Sequence, residues 1–231
     1  MIQFQGVSKS FGMVKALDNL NIIFNRGKII GLFGPNGAGK STTLKLATGI
    51  NRPDQGVVTV DDQAPANYKD HIAYLPEVDH LYSWMTLKQA AQFMQSFYAD
   101  WNESKYRELV TFLNLHEGMK LAKISKGQRA KCKLLLAVSR QSPYLFLDEP
   151  LSGIDILTRD QIIQTLIRDF RDGEQTIIIS THEIRDVENL VDEVVFLNQG
   201  KIHLAGDAEE LRANRGTSLV EIMKEAFRDA N

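Results

Sequence analysis

The sequence carries a single cysteine, Cys132, in 231 residues. One thiol excludes an internal disulfide and fits a reducing compartment. Lys131 and Lys133 flank it, and nearby ammonium groups lower a thiol's pKa. Without a local active-site signature the residue reads as packing. Long apolar runs are also missing. The longest are Ile29–Gly34, Leu134–Val138, Ile177–Ile179 and Val194–Leu197, whereas a spanning helix needs about 20 apolar residues. Met1–Gly6 has neither the basic segment nor the apolar core of a secretory leader. The chain is expected to be cytoplasmic and complete. Neither charge sign dominates: 27 Lys+Arg against 29 Asp+Glu leave a net charge of -2. A protein that lives on a polyanion needs a basic surface, so nucleic acid is not expected as a partner. Repeats and linker-like tracts are absent. What is present is ordinary for a soluble globular protein, 43% hydrophobic and 24% charged, which excludes disorder. The length suffices for one core with a small subdomain.

Periodicity divides the chain into three parts. Strand signals cover 2–7, 20–24, 28–33, 57–60 and 71–75, with a helix at 43–49. Helical spacing then runs through 87–98, 103–113 and 127–140. The aromatics Phe93, Phe97, Tyr98, Trp101, Tyr106 and Phe112 in this stretch read as core. After it come strands at 144–147, 176–180, 193–197 and 201–205 and helices at 156–170, 183–190 and 221–227. Strands alternating with helices imply an α/β fold with a largely parallel sheet covered on both faces. The expected organisation is one domain, 1–231. Its core spans 1–77 and 141–231, with a helical subdomain inserted at about 78–140.

Gly34-Pro35-Asn36-Gly37-Ala38-Gly39-Lys40-Ser41 matches G-x-x-x-x-G-K-[ST] at every fixed position. Such glycines let the backbone turn tightly and aim N–H groups at phosphate oxygens. The following helix, entered through Thr42, presents its positive end to the same anion. Lys40 is expected on the β- and γ-phosphates and Ser41 on Mg²⁺. An apolar strand precedes the loop, as the motif requires. A second apolar strand, Tyr144–Leu147, ends in Asp148-Glu149-Pro150. It delivers Asp148 to the carboxyl edge of the sheet, where ligands bind in such folds. There Asp148 can hold Mg²⁺, and Glu149 can polarise a water aimed at the γ-phosphate. The fold expected is therefore a P-loop NTPase core acting on ATP.

The order of motifs resembles the nucleotide-binding subunit of ATP-binding cassette (ABC) transporters, over about residues 2 to 215. Ile124-Ser125-Lys126-Gly127-Gln128-Arg129 is similar to the family's signature, usually Leu-Ser-Gly-Gly-Gln, just before a helix. The resemblance implies that Ser125, Gly127 and Gln128 complete the phosphate site of an opposite subunit; Ser125 also fits an ordinary helix cap. Ser152-Gly153-Ile154-Asp155 is similar to the family's D-loop, which implies a place for Asp155 at the dimer seam. Of five histidines, at 71, 80, 116, 182 and 203, only His182 follows a strand in a matching motif, that of the switch histidine at the γ-phosphate. The resemblance also implies an antiparallel β part near the N-terminus. Three positions depart from the common pattern. Phe11 stands where an aromatic, usually Tyr, stacks on adenine, and it also fits a core role. Glu77 stands where a Gln senses Mg²⁺ and the attacking water; it keeps an oxygen ligand and adds charge. Lys126 replaces the first signature glycine and points either to phosphate or to solvent.

Glu77, the Ser-Lys-Gly signature and the short C-terminus look like the ATPases of ABC-2-type exporters. The implied partners are a second ATPase subunit, identical or paralogous, and a polytopic membrane permease that would place the chain at the cytoplasmic face of the membrane. Pro76–Leu87, with Val78, Leu81, Tyr82, Trp84 and Met85, either walls the permease groove or staples the subdomain internally. The rival readings are a soluble ABC ATPase acting on ribosomes or nucleic acid, and a module that binds ATP without turnover.

Overall fold

A strand that is apolar at every position can sit only where both faces are covered. Strand β3 (Ile29–Phe33) is such a strand, and all five of its residues are buried. Ile29 and Phe33 enter one core, and Ile30 and Leu32 enter the other. The computed structural model, which describes residues 1–170 and 174–228, places β3 inside a six-stranded sheet. With β5 (Ile72–Leu75), β6 (Tyr144–Asp148), β7 (Thr176–Thr181), β8 (Glu193–Asn198) and β9 (Lys201–Asp207) the order is β5-β6-β7-β3-β8-β9. Every pair is parallel except β8 with β9. Strands β1 (Ile2–Phe11), β2 (Val14–Phe24) and β4 (Gln55–Val60) form a separate antiparallel sheet in the order β2-β1-β4. It closes over the face of the large sheet that carries Ile30, Leu32, Tyr144, Phe146 and Ile178. This is the α/β P-loop fold.

The first two strands run longer than the alternation suggests. Polar Asp18, Asn19 and Asn21 interrupt the apolar pattern, and shifts in register absorb the interruption. Helix α1 starts at Lys40, three residues earlier than expected, because Gly39 at φ 110° serves as its N-cap. The helix expected at 183–190 is a single 3-10 turn, Ile184–Asp186. One short helix escaped the periodicity. Helix α6 (Ala208–Arg215) opens on Asp207, whose carboxylate accepts from the Glu209 and Glu210 N–H groups, and closes on Gly216 at φ 63°. Its apolar face holds little more than Ala208 and Leu211. Helix α7 is Leu219–Arg228, and the last three residues, 229–231, lie outside the described range.

Between β5 and β6 lie α2 (Leu87–Phe97), α3 (Glu103–Phe112) and α4 (Lys126–Val138). Reciprocal capping boxes, Thr86 with Gln89 and Ser125 with Gln128, start α2 and α4. Arg140, 3% exposed, ties this region to the sheet. Its guanidinium donates to the Asp100 carboxylate at 2.9 and 3.0 Å and to the Ile72 and Asp70 carbonyls at 2.7 Å. It also stacks 3.7 Å from the Tyr98 ring centre. The aromatic set is only partly core. Tyr106 is buried, but Phe93 and Phe97 are exposed, because α2 buries the stripe Leu87, Ala90 and Ala91 instead. Phe93 packs its ring against Phe97 and Tyr82, and Tyr82 packs against Trp84. Within Pro76–Leu87, Met85 turns inward and Leu81 is half-buried, whereas Val78, Tyr82 and Trp84 face outward.

Cys132 is fully buried on α4. Burial pushes its thiol up to about 12, outweighing the opposite pull of Arg129 and Lys131. The flanking lysines therefore do not activate it. Iodoacetamide at pH 8 is expected to leave Cys132 unlabelled in the folded protein and to label it fully in denaturant. Labelling of the folded protein at the rate of a free thiol would show the α4 packing to be wrong.

Candidate active site

In parallel register, Phe33 lies beside Thr181, Asp148 beside Ser180 and Leu75 beside Leu147. The residues that follow these strands are Gly34, Glu149, His182 and, one further on, Glu77. The sheet thus brings four segments, far apart in sequence, to one edge. Gly34 begins the loop under the tightest contact. A Cβ there would lie 2.0 Å from the Leu197 carbonyl oxygen of β8. Gly39 would meet the Ala16 carbonyl at 2.6 Å and holds φ at 110°. Both glycines are required by space, and Gly39 also by backbone conformation.

Asn36, Gly37, Ala38, Gly39, Lys40, Ser41 and Thr42 line a cavity of about 440 Å³ together with Val14, Lys15, Ala16, Glu77 and Glu149. Lys40 is 5% exposed. Its ammonium donates to the Gly34 carbonyl at 2.8 Å and the Pro35 carbonyl at 3.2 Å, and Glu149 Oε1 lies 3.2 Å away. That Oε1 is buried and accepts no hydrogen bond among the described residues. The other oxygen, Oε2, is 3.0 Å from His182 Nδ1. A carboxylate accepts, so Nδ1 carries the hydrogen. Glu149 also has φ 47°, a left-handed conformation that costs a non-glycine residue about 1–3 kcal/mol and persists only where its surroundings enforce it. Here the Glu149 N–H donates to the Ser180 carbonyl at 3.0 Å.

Asp148 is 1% exposed and does not line the cavity. Ser41 Oγ donates to its Oδ1 at 2.9 Å, Ser180 Oγ to the same atom at 2.6 Å, and Tyr74 Oη to Oδ2 at 3.1 Å. Ser180 and Tyr74 were not evident as site residues from sequence. Strand alternation aimed at the Asp148 register could have found both. Burial and the Asp148 carboxylate push the Tyr74 phenol well above its ordinary value. Phe11 is 49% exposed, so it is not core. It ends β1 just before the Val14–Ala16 wall of the cavity, with Lys9 Nζ 5.5 Å from its ring centre.

Ser125, Gly127, Gln128 and Asp155 do not line this cavity. They form a second cluster around the N-termini of α4 and α5 (Ile156–Asp169). Ser125 Oγ accepts from the Gln128 N–H at 3.1 Å, and Gln128 Oε1 accepts from the Ser125 N–H at 3.0 Å. Asp155 caps α5 through the Thr158 N–H at 3.0 Å. That bond, with the Thr158 hydroxyl at 2.8 Å, holds its carboxyl below the usual carboxylate value. A Cβ on Gly127 would meet Thr158 Oγ1 at 2.9 Å and Asp155 Oδ2 at 3.3 Å, so this glycine lets the two helix ends touch. The Lys126 ammonium reaches back over Gly153. Ile156 and Leu157, beside Asp155, are 74% and 77% exposed.

The profile described as ABC transporter matches residues 17–152. The chain belongs to that family. The ABC transporter ATP-binding protein YtrB of Bacillus subtilis (strain 168) is 27% identical over 215 residues, spanning 92% of this chain and 74% of that protein. A solved ATP-binding subunit of an ABC transporter superposes with TM-score 0.87 at 26% identity, covering 98% of this chain and 99% of that one. A dimeric ATP-binding cassette, MJ0796 with ADP and Pi, superposes with TM-score 0.80 at 20% identity, covering 90% and 99%. The chain is thus an ABC ATPase, an ATP-binding subunit of the ABC transporter family. None of its helices among the described residues is long and apolar enough to cross a membrane.

The Gly34 contact yields a direct test of the loop. Gly34→Ala must displace backbone at Leu197, and overpacking of this kind costs about 1–3 kcal/mol. Urea unfolding is expected to show a loss of that size. A variant within about 0.5 kcal/mol of wild type, the range of neutral surface changes, would refute the close approach.

Proposed function

We propose that this ABC ATPase powers an exporter of the ABC-2 type, hydrolysing ATP with Glu149 as the base. The observation that carries the catalytic part is the orphan Glu149 Oε1. A buried carboxylate oxygen without a hydrogen bond is costly. Glu149 lines the phosphate cavity, and a water molecule there is the partner assigned to this oxygen. That water's oxygen attacks the γ-phosphorus, its proton passes to Glu149, and the bond from the γ-phosphorus to the bridging oxygen of the β-phosphate breaks. His182 holds Glu149 Oε2 and so aims the other oxygen. Lys40 exchanges its two carbonyl acceptors for phosphate oxygens, which make stronger charge-assisted bonds. Asn36–Thr42 cradle the phosphates, and Phe11 offers its exposed face to adenine.

An all-oxygen donor set suits Mg²⁺, which keeps several waters and few protein ligands. Ser41 and Asp148, already 2.9 Å apart, fit that requirement and would hold the ion with Glu77 beside it. When bound, Mg²⁺ neutralises charge on the β- and γ-phosphate oxygens.

Ser125, Gly127, Gln128 and Asp155, which do not line the cavity, are assigned to the site of a second subunit, whose phosphate loop would meet the exposed N-terminus of α4. The apolar Ile156 and Leu157 supply contact area at that seam. The core is assigned to 1–77 and 141–231 and the helical subdomain to 78–140, with Arg140 at the joint. The permease would dock on Val78, Tyr82, Trp84, Phe93 and Phe97. Tyr82, Trp84, Phe93 and Phe97 form one exposed patch joined by ring contacts, the composition of an interface centre, and Val78 is exposed as well. Relatives named for import also match; export rests on Glu77 and the Ser-Lys-Gly signature. A role on ribosomes or nucleic acid is not favoured at a net charge of -2.

Glu149→Gln is expected to bind ATP with wild-type affinity, to lose at least about 100-fold in turnover, and to accumulate as an ATP-bound dimer in light scattering. Unchanged kcat would remove Glu149 from this role. Trp84→Ala is expected to weaken co-purification of the membrane subunit by about 30-fold in Kd, the effect of losing one hot-spot aromatic. Undiminished recovery would place the dock elsewhere.

A further inference from the structure

Lys133 has no part in the site as described, yet it lies slightly more than two turns along the helix that Ser125 caps. Its ammonium donates to three successive carbonyls, Pro76 at 2.6 Å, Glu77 at 3.0 Å and Val78 at 3.4 Å. An ammonium has three hydrogens, so all of them serve one stretch of backbone. One turn earlier on the same helix face, Arg129 pairs with the Asp79 carboxylate and the Leu121 carbonyl. Residues 76–79 leave the end of β5 and join no other strand or helix before α2, so α4 is what holds them. Lys133 also borders two cavities. One contains Glu77 and Glu149; the other lies between β5 and α2, lined by Ala73, Met94 and Tyr98. Burial keeps its ammonium below the usual lysine value, as expected of a cation anchored inside a helix packing region.

We propose that Lys133 is a positioning residue for ATP hydrolysis: it fixes the 76–78 carbonyls to the signature helix, so that Glu77 takes its place at the phosphate cavity and moves with α4. This rests on the assignment of Glu77 to the ATP site. It places the link between the signature helix and the Glu77 backbone in one side chain.

The test uses the full chain with ATP and Mg²⁺, and the variants Lys133→Met, Lys133→Arg, Glu77→Ala and Lys133→Met with Glu77→Ala. Lys133→Met keeps the apolar stem and removes the donors. It is expected to lower kcat by about tenfold with KM for ATP within about twofold, the signature of a contact that matters beyond substrate binding. Lys133→Arg is expected to recover at least about half of the turnover. In the Glu77→Ala background the Lys133 substitution is expected to cost less than about twofold, since coupled residues are not additive. A second readout needs no turnover. On ATP addition, amide exchange should slow at 77–79 and 36–41 in wild type, and only at 36–41 in Lys133→Met. Should Lys133→Met melt early, Lys133→Gln takes its place with the same readouts. Wild-type kcat and exchange in Lys133→Met, beside an impaired Glu77→Ala, would overturn the positioning role and leave Glu77 in the site. An undiminished tenfold loss in the Glu77→Ala background would also overturn it, by showing a general packing effect. Wild-type turnover in Glu77→Ala alone would remove the assignment on which the proposal stands.

Discussion

The buried strand Ile29–Phe33 sits between β7 and β8, and its burial on both faces fixes where everything else ends. Its last residue pairs in register with Thr181 and Phe196. The chain then passes so close to the Leu197 carbonyl that only glycine fits at position 34. From there the backbone enters α1 through Gly39, and the helix N-terminus faces the cavity. Parallel pairing carries the same level across to β6 and β5. Asp148, Glu149, His182 and Glu77 therefore meet at one edge without any local sequence relation among them. This is the usual place for a ligand in an open parallel sheet, reached here by steric necessity at two glycines.

Charge at that edge is buried but accounted for. Asp148 spends its two oxygens on three hydroxyls, Ser41, Ser180 and Tyr74. Glu149 faces the Lys40 ammonium on one side and His182 on the other. Removing one partner from such a group leaves a desolvated charge, which costs more than the pair contributes. The exception is Glu149 Oε1, with an ion pair and no hydrogen bond. Glu149 thus combines a left-handed φ with an oxygen that accepts no hydrogen bond among the described residues, two local costs that its surroundings must offset.

Legibility from sequence followed the length scale of the signal. The phosphate loop, the acidic pair after Phe146-Leu147 and the signature were readable because each is a contiguous pattern with a mechanism. The hidden members of the site were single residues on strands. Tyr74 and Ser180 reach Asp148 only because parallel register aligns three strands, and register is a property of the folded sheet. Helix α6 was missed because its signal lies in its caps, Asp207 and Gly216, and not in apolar periodicity. Phe93 and Phe97 misled in the opposite sense. Their i, i+4 spacing is helical, but spacing does not say which stripe faces inward. In α2 the alanines do. Lys131 and Lys133 around Cys132 suggested activation, whereas Lys133 turns to three carbonyls and the thiol is sealed in the core.

The two clusters of polar residues are joined through α4. Gly127 packs on Asp155 and Thr158, so the N-termini of α4 and α5 form one unit. The same α4 grips residues 76–79 through Lys133 and Arg129, next to the phosphate cavity. The Glu77 carbonyl is therefore hydrogen-bonded to the same helix whose N-terminus Ser125 caps, so a partner that bound that N-terminus would act on one rigid element with it. Such reciprocity is what linkage demands if ATP binding in one subunit and docking on another are to influence each other. The cavity alone cannot supply it, because none of its lining residues belongs to the exposed patch or to the α4 N-terminus. The helix that runs between them can.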